Sequence, residues 1–592
     1  MNPLGASLHP DGTTFRVWAP AALSVELAIE GKPPEPMRDA GDGIRELAVG
    51  GLPAGSRYQY RLDGERYRPD PVSRWQPEGV HGPSVVVDPS RFAWTDHGFR
   101  GHARGALVFY ELHVGTYTTA GTFEALIPHL ASLVDLGVTA IELMPVAEFP
   151  GSRNWGYDGV HLFAPQSTYG GPRGLRRLVD ACHAQGLSVF LDVVYNHLGP
   201  EGNYLAEFGP YFTNRYKTPW GSAVNFDGPD AAGVRRHFVE NARYWVREFH
   251  IDGLRLDAVH SIFDASPRHV LTEVAEGARE EAQALGRPVH VVAESHDNDR
   301  RLVLPAGQAG LGLDGVWSDD FHHAAHVRLT GEHGGYYADF TAKDLLPRAI
   351  AEGFAFQGEN SEYFGRARGT PSADLAGDRF VICAQNHDQV GNRARGDRLS
   401  TIVSFEAVKL AAALTFAAPA LPLLFMGEEY GETSPFQFFT SFLDPGLVDA
   451  VRQGRAAEFA KFAWQGELPD PGAPATFLRS RLNHALVSAP RHRELREYYK
   501  RWIALRAGHP ALGSGGKDLA RASLDPTGQV LTLRRAATEG PAITLVANLS
   551  GSRQAAPDVR GRVVIDSAET RFGGPGQVTR LAPYQAVAFE SS

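Results

Sequence analysis

The chain has 592 residues, of which 43% are hydrophobic and 21% are charged, and its net charge is −10. This length predicts several domains, the composition is typical of a soluble globular protein, and the negative charge argues against nucleic-acid binding, which needs a basic surface. The two cysteines, Cys182 and Cys383, exclude a disulfide framework and indicate a reducing, cytoplasmic compartment.

Residues 1–95 have the pattern of an N-terminal β-sandwich domain. The first fifteen residues show neither the basic segment nor the apolar core of a signal peptide. Apolar or alternating runs at 15–18, 25–29 and 58–62 are separated by Pro, Gly and Asp, which is typical of short strands joined by turns. Three tryptophans of this region are expected either to stack on sugars or to fill the core: Trp18, Trp75 and Trp94.

Residues 96–510 alternate between strand-like and helix-like segments. Eight apolar runs occupy 106–114, 138–146, 187–197, 253–259, 290–295, 315–320, 380–388 and 421–430. Amphipathic stretches between them include 123–136, 172–185, 231–249 and 265–285. Eight strands alternating with helices predict an α/β fold, a (β/α)8 TIM barrel with insertions. A doubly wound open sheet is the alternative, but no Gly-rich dinucleotide loop follows the first strand.

Two features complete this organisation. The apolar run 410–426 approaches membrane length, but Pro419 and Pro422 interrupt it, so we expect a buried helix followed by a strand and no membrane span. Residues 511–592 return to alternating strands and predict a C-terminal antiparallel β domain.

The stretch 253–260 carries Arg255 and Asp257 on a short strand whose other residues are apolar. A buried Arg and Asp are costly unless they pair or act chemically. One interpretation is a structural ion pair. The other is catalysis, because the C-terminal ends of barrel strands form the active face of TIM barrels.

Polar groups at the ends of six of the eight predicted strands favour the second interpretation. They are Asp192, Asn196 and His197; Arg255, Asp257 and His260; Glu294 and His296; Asp319, Asp320, His322 and His323; Asn386, His387, Asp388 and Gln389; Glu428 and Glu429. A lone Asp after a strand is often a cap and a lone His is often structural. Clustering of so many groups on one face argues against a purely structural origin.

The residue types indicate glycoside hydrolysis. Asp257 and Glu294 end neighbouring strands, where one carboxylate acts as nucleophile and the other as general acid/base in a retaining glycosidase. We expect Arg255 to pair with Asp257, and the apolar strand before Glu294 to raise the pKa of this residue. A metal site is the alternative chemistry, but the histidines lack a compact ligand spacing, so no metal or cofactor is predicted.

Four stretches, 192–197, 253–260, Glu294 and 386–389, resemble in order the signature segments of the α-amylase family, glycoside hydrolase family 13. The resemblance implies that Asp257 is the nucleophile, Glu294 the general acid/base and Asp388 the third acid, which holds sugar hydroxyls. It also implies substrate-binding roles for Tyr157, Asp192, His197, Arg255, His260 and His387. The N-terminal segment resembles the sandwich of the isoamylase and branching-enzyme branch.

Further stretches at 144–149, 319–323, 385–391 and 425–430 resemble the maltooligosyltrehalose trehalohydrolase subgroup. This implies maltooligosyltrehalose and related α-glucans as substrates, trehalose as product, and a maltooligosyltrehalose synthase acting upstream. Asp320 and His322 are expected to contact the trehalose end, unless they only brace their loop. The alternatives are a branching or debranching enzyme and an inactive amylase-like binding protein.

Two departures from the family pattern stand out. His260 follows Val259 where many α-amylases have a Lys-His pair, which questions ordinary starch binding beyond the cleavage point. Asn196 matches a calcium ligand of many α-amylases, but a set of partner ligands is not evident, so calcium is not predicted.

Overall fold

A closed barrel of eight parallel strands stands at the centre of the computed structural model, which describes residues 3–461, 468–513, 515–576 and 580–591. The barrel strands are Phe109–Leu112, Ala140–Leu143, Ser188–Val193, Gly253–Leu256, His290–Ala293, Gly315–Trp317, Phe380–Cys383 and Leu421–Phe425. Each strand pairs with the next in the chain, and Phe109 pairs with Leu423 to close the ring. The predicted TIM barrel is confirmed, and each predicted run contains one strand.

The side-chain period of the fourth strand explains its composition. Gly253 faces the barrel interior, because a Cβ there would lie 2.1 Å from the ring of Phe190. Residues two and four positions later share that face, so Arg255 and Asp257 point along the barrel interior toward its C-terminal mouth. Leu254 and Leu256 face the surrounding helices and are fully buried.

Helices surround the barrel. Those between the first and eighth strands are Val114–Tyr117, Phe123–Leu126, Leu130–Leu136, Gly171–Ala184, Leu205–Phe208, Ala231–Phe249, Val270–Leu285, Asp319–Thr330, Leu345–Glu352, His387–Gly391, Leu399–Ile402 and Phe405–Ala417. Pro445–Lys461, Pro474–Arg479 and Pro490–Gly508 follow the last strand. None of the described helices is long and apolar enough to cross a membrane.

Three sequence-based expectations about helices have definite outcomes. The stretch 123–136 is a helix interrupted by a 3-10 turn at Ile127–His129, which contains Pro128. The helix expected from 265 begins at Val270, where the Asp264 carboxylate accepts the Val270 N–H at 2.6 Å. The run 410–426 is the buried end of helix Phe405–Ala417 followed by the eighth strand, as expected.

Short hairpins lie in the connections at the C-terminal side of the barrel. Ala147–Glu148 pairs with His161–Pro165, Phe212–Thr218 with Gly221–Val224, and Asn360–Ser361 with Arg366–Ala367. The last two lie in the long connections that follow the third and sixth strands. Long loops at this end of a barrel build the substrate cleft.

The N-terminal region forms two antiparallel sheets. One has the order Gly5–His9, Gly12–Trp18, Ile44–Gly50, Arg38–Asp39. The other has the order Glu35–Pro36, Val25–Ile29, Arg57–Leu62, Arg66–Arg68, and Ser84–Val85 also pairs with Arg57–Leu62. Trp18 is buried against Tyr211 at a ring distance of 5.2 Å, and Trp94 stacks on His250 at 3.8 Å. These two tryptophans therefore attach the N-terminal region to the barrel.

The C-terminal region is a five-stranded antiparallel sheet, as expected. Its order is Ala520–Leu524, Val530–Arg535, Ala542–Asn548, Ala586–Ser591, Arg562–Asp566. Buried Arg535 and Lys409 each donate hydrogen bonds across the junction with the barrel, to Ala417 O at 2.7 Å and Ser567 O at 2.8 Å.

Candidate active site

Asp257 and Glu294 lie side by side at the mouth of the barrel. Leu256 pairs with Ala293 in the parallel register of the fourth and fifth strands, and each acid follows one of these two residues. The backbone N–H of Asp257 donates to the Val193 carbonyl at 3.1 Å, and that of Glu294 donates to the Leu256 carbonyl at 2.9 Å. The sheet register therefore brings the two predicted catalytic carboxyl groups together.

A single arginine, Arg255, contacts three carboxyl groups. Arg255 Nη1 lies 2.7 Å from Asp192 Oδ2 and 2.9 Å from Asp257 Oδ1, and its Nη2 lies 3.8 Å from Glu294 Oε2. The guanidinium is fully buried and stands 4.5 Å from the ring centre of Trp317. Acidic groups outnumber basic ones at this point, so the carboxyl groups cannot all ionise easily.

Burial and neighbouring acids raise the pKa of two acids in this cluster. Burial, with a contribution from Asp257, raises the pKa of Glu294 to about 8. Burial likewise raises the pKa of Asp192 to about 6. Glu294 is therefore protonated at neutral pH, which a general acid requires, and its environment differs from that of the arginine-paired Asp257.

Backbone and amide groups fix the orientation of both acids. Asn196 Nδ2 donates to Asp257 Oδ2 and to the Asp257 carbonyl oxygen, each at 2.7 Å. The next residue, Ala258, has φ 40° and ψ 51°, a left-handed conformation that is rare for a residue with a Cβ. This turn aims the Ala258 N–H at Glu294 Oε2, which accepts it at 2.5 Å.

Tyr157 joins the predicted sugar-binding residues into one hydrogen-bonded chain. Its hydroxyl lies 2.6 Å from Asp192 Oδ2 and 2.7 Å from His387 Nε2. His387 Nδ1 lies 2.5 Å from Glu111 Oε1, and the His387 backbone N–H donates to Glu111 Oε2 at 2.9 Å. The chain links the first, third and seventh strands around Arg255.

Asp388 contributes a more exposed acid from the seventh strand. The Asn386 side chain accepts the N–H groups of Asp388 and Gln389 and caps the helix that begins at His387. The Asp388 side chain keeps 46% exposure, and its Oδ1 accepts a hydrogen bond from Asn392 at 3.2 Å. It is the candidate acid most open to a ligand hydroxyl.

A cavity of about 280 Å³ opens beside Glu294. It is lined by Glu294, Asp319 and Asp388 on the barrel side, and by Tyr336, Tyr363 and Phe364 from the insertion after the sixth strand. Burial and the nearby Asp388 raise the pKa of Asp319 to about 6. Three acidic groups facing aromatic side chains suit a sugar, whose hydroxyls and ring faces need both kinds of partner.

Two other predicted histidines, His197 and His260, make aromatic contacts at the barrel mouth. His197 stacks on Trp220 with ring centres 4.4 Å apart and planes 6° apart, and Trp220 is 48% exposed. His260 lies 3.8 Å from the ring of His296, which in turn stacks on Phe364. His260 therefore belongs to the side of the mouth where Glu294 and the cavity lie.

Two predictions about the sixth strand need correction. Asp320 is completely buried, pairs with Arg368 at 2.7 Å and accepts the N–H groups of Ala355 and Phe356. His322 is also buried, with Nδ1 2.7 Å from the Ala384 carbonyl oxygen and Nε2 3.0 Å from the Tyr337 hydroxyl. Both residues therefore brace the insertion instead of contacting sugar, which was the alternative interpretation.

Sequence reasoning passed over other residues of the site. Glu111 is 1% exposed inside the first barrel strand, and an acid within such a strand is itself a signal of function. Trp220 and Tyr363 lie on insertion hairpins. Asp319, which lines the cavity, was already expected among the polar groups at the strand ends. For Trp220 and Tyr363, the available signal was an aromatic residue in a long barrel loop.

Family descriptions match two parts of the chain. Residues 87–220 match "Alpha amylase, catalytic domain", and residues 3–89 match "Carbohydrate-binding module 48 (Isoamylase N-terminal domain)". The matched ranges meet where the N-terminal sheets give way to the barrel.

Curated relatives match most of the chain. The malto-oligosyltrehalose trehalohydrolase of Saccharolobus solfataricus is 45% identical over 85% of this chain and 86% of its own length. That of Brevibacterium helvolum is 40% identical over 98% of both chains. The 1,4-alpha-glucan branching enzyme GlgB of Burkholderia thailandensis is 30% identical over 71% of this chain and 53% of its own.

Solved structures share the fold. A crystal structure of a Salmonella typhimurium protein described as an alpha amylase superposes with a TM-score of 0.93 at 41% identity and covers the whole of both chains. A pullulanase from Anoxybacillus sp. LM18-11, complexed with maltotetraose, reaches a TM-score of 0.73 at 18% identity, covering all of this chain and 88% of its own. The second likeness concerns the fold alone.

Proposed function

Because the chain belongs to the malto-oligosyltrehalose trehalohydrolases of the α-amylase family, we propose that it hydrolyses the α-1,4-glucosidic bond next to the terminal trehalose of maltooligosyltrehalose. The products are trehalose and the remaining maltooligosaccharide. The observation that carries the proposal is the pair Asp257 and Glu294, set on adjacent strands around one arginine.

In the first step the Asp257 carboxylate attacks the anomeric carbon of the glucose that precedes trehalose. The bond from that carbon to the glycosidic oxygen breaks as the new ester bond forms, and Glu294 transfers its proton to the departing oxygen. Trehalose leaves as a neutral alcohol. Arg255 stays paired with Asp257 through its Nη1, and Asn196 holds the other carboxylate oxygen.

In the second step Glu294, now a carboxylate, takes a proton from water while the water oxygen attacks the same carbon. The ester bond breaks, Asp257 regains its negative charge and Glu294 regains its proton. Two inversions give a product with retained α-configuration. Proton NMR of the maltooligosaccharide as it is first released tests this prediction. Initial appearance of the β-anomer at its new reducing end would contradict the prediction.

The other site residues position the sugar whose bond is cut. Asp388 accepts hydrogen bonds from sugar hydroxyls, which its exposure supports. Tyr157 provides a ring face for this sugar, and Asp192, His197 and His387 lie around the sugar.

The trehalose unit occupies the cavity beside Glu294. Glu294, the proton donor, belongs to its lining, and the leaving group must lie beside the proton donor. Asp319 and Asp388 present carboxyl groups to hydroxyls, and Tyr336 and Tyr363 present ring faces. His260 lies on the same side through its contact with His296.

Two other functions have weaker support. A branching or debranching activity has as its support the partial match to a branching enzyme and the common fold with pullulanases. An inactive binding protein is disfavoured because Asp257, Glu294 and Asp388 are all present and converge.

The proposed reaction also implies a supplier. Its substrate is a maltooligosaccharide whose reducing end has become a trehalose unit, so a maltooligosyltrehalose synthase must act upstream. The two buried, unpaired cysteines support a reducing cytoplasmic compartment.

Incubation with maltooligosyltrehalose, and separately with starch, tests the function. We expect release of trehalose from the first substrate at a much higher kcat/KM than any cleavage of the second. Transfer of glucan chains to new α-1,6 branches, or hydrolysis of existing ones, identifies the alternative enzymes, and no reaction with either substrate identifies the binding protein.

A further inference from the structure

Glu111 lies beneath the sugar-binding residues and contacts His387 twice. Oε1 lies 2.5 Å from the ring Nδ1, and Oε2 accepts the backbone N–H at 2.9 Å. Both residues are 1% exposed, so neither contact competes with bulk water. A carboxylate only accepts hydrogen bonds, so the Nδ1 facing it carries a hydrogen.

The opposite ring nitrogen is also constrained. Tyr157 has one hydroxyl hydrogen but two close neighbours, Asp192 Oδ2 at 2.6 Å and His387 Nε2 at 2.7 Å. Asp192 Oδ2 also accepts from Arg255 at 2.7 Å, so it takes the hydroxyl hydrogen as an acceptor. The short contact to His387 is then a hydrogen bond only if Nε2 donates to the tyrosine oxygen.

We infer that Glu111 is a positioning residue that holds His387 as a doubly protonated imidazolium, and that His387 thereby turns the Tyr157 hydroxyl toward Asp192. The inference rests on the proposed function, since it assigns Tyr157 and Asp192 to the sugar site. If His387 lost the Nε2 proton, the hydroxyl would turn to that nitrogen and Asp192 would lose one of its two hydrogen bonds.

The charges around His387 agree with this arrangement. Burial alone would disfavour the charged ring, but Glu111 and Asp388 raise the pKa of His387 to about 9. Arg255 opposes the charge from the fourth strand. Other titratable groups near the ring or its immediate partners include Tyr157, Asp192, Glu142, His113 and Cys383.

The test compares Glu111→Gln with wild type in the pH dependence of kcat/KM for an α-maltooligosyl fluoride. Fluoride departs as an anion, so the first step needs no proton from Glu294. The fall of kcat/KM at alkaline pH, the alkaline limb of the profile, then reports the loss of the proton from His387. The glutamine can still accept the His387 backbone N–H, while its amide donates to a neutral ring. We expect the alkaline limb to move toward lower pH by at least about one unit, because the negative charge that stabilises the imidazolium has been removed.

Three comparisons separate positioning from a general structural effect. Glu148→Gln is the matched control, because Glu148 is equally buried and its carboxyl group accepts the Ser167 N–H, away from His387, and its limb should stay in place. Glu111→Asp keeps the charge, so its limb should stay near that of wild type even if the rate falls. In a Tyr157→Phe background, Glu111→Gln should cost less than in wild type, since part of its effect passes through the missing hydroxyl.

An unmoved limb in Glu111→Gln, or an equal shift in Glu148→Gln, would overturn the inference. Full additivity of the Glu111 and Tyr157 changes would do the same. The proposed function fails separately: a wild-type enzyme that releases no trehalose refutes it, while the fluoride profiles still report on Glu111. If Glu111→Gln does not fold, Glu111→Asp takes its place in the combination with Tyr157→Phe. Full additivity of these two changes would then overturn the inference.

Discussion

The fourth barrel strand carries a buried carboxyl group at each end, and the two have different surroundings. Asp252, just before the strand, is 2% exposed and accepts hydrogen bonds from His183 and the Val189 N–H at 2.9 and 2.8 Å. Asp257, just after it, is 8% exposed and shares Arg255 with Asp192 and Glu294. Burial is similar at the two ends, but the supply of positive charge is not.

At the Asp252 end the charges are matched. His183 bridges Asp96 and Asp252 at 2.9 Å each, His250 lies 2.7 Å from Asp96, and Arg287 reaches both acids at 3.3 and 3.7 Å. Burial opposes ionisation of Asp96, yet its hydrogen bonds to His183 and His250 hold its pKa well below the usual range.

At the Asp257 end the acids exceed the bases, and burial raises the pKa of Glu294 to about 8. At similar burial, the supply of positive charge therefore distinguishes the two ends of the strand. Five predictions test this difference.

Asp257→Asn should have the largest effect on activity. The amide cannot attack the anomeric carbon, so we expect turnover of maltooligosyltrehalose to fall by at least about 10²-fold, with binding and fold retained. Removing one carboxylate from an acid-rich cluster should change the free energy of unfolding by less than about 1 kcal/mol. Steady-state kinetics and thermal unfolding measure the two, and turnover above about a hundredth of wild type would refute the nucleophile assignment.

Glu294→Gln should cost about 10²–10⁴-fold on maltooligosyltrehalose, because trehalose needs a proton to leave. The first step on a glycosyl fluoride should remain near the wild-type rate. In wild type, kcat/KM for maltooligosyltrehalose should fall as pH rises through about 8, where Glu294 loses its proton. That limb should disappear in the variant, and equal losses on both substrates would count against Glu294 as the acid.

Asp252→Asn should reverse the pattern of Asp257→Asn. Removing the Asp252 charge leaves Asp96 to neutralise His183, His250 and Arg287, so we expect a loss of about 3 kcal/mol in the free energy of unfolding. The kcat of the folded enzyme should stay within about twofold of wild type, since the site lies at the other end of the strand. A stable but inactive Asp252→Asn would show that the two ends do not divide the roles in this way.

The same cluster predicts a pH window for stability. The folded pKa of Asp96 is depressed, so its contribution is present above its unfolded pKa of about 4 and is lost as pH falls below that value. Burial lowers the pKa of His183, but Asp252 and Asp96 reverse this and raise it. Its contribution is present below about pH 6.5 and is lost as pH rises through its folded pKa. The unfolding temperature of wild type should follow this window, and that of Asp252→Asn should vary less with pH.

The smallest expected effect concerns the cavity beside Glu294. Tyr363→Ala removes a ring face that is half exposed, so kcat/KM for maltooligosyltrehalose should fall about 2–10-fold more than that for a plain maltooligosaccharide. Asp320→Ala, the buried comparison, should lower stability and show no such selectivity. An equal loss on both substrates in Tyr363→Ala would move the trehalose contacts to the hairpin that carries Trp220.

The location of the barrel strands and of most site residues was predictable because the signals are local. A strand of three to six residues shows its period and its end in its own composition, and the polar groups at 192–197, 253–260, Glu294 and 386–388 lie at the ends of buried runs. Arg255 and Asp257 share a face because side chains alternate along a strand, which places both at the mouth.

The roles of neighbouring acids depended on distant parts of the chain. Asp319 and Asp320 are adjacent at the start of one helix, where successive side chains point about 100° apart. Asp319 lines the cavity, whereas Asp320 turns toward Arg368, 48 residues later, and toward two backbone N–H groups of the insertion.

The sequence by itself determined the eight-stranded barrel, the flanking β regions and the acids at the strand ends, because strand period and strand end are properties of short segments. Only the tertiary structure decided which acids are neutralised and which remain available. Asp252 receives its positive charge from His183 and Arg287, which lie on other elements, whereas Asp257 and Glu294 must share Arg255. The protonation of a buried acid is set by all charges within a few ångströms, and these come together only when the barrel closes.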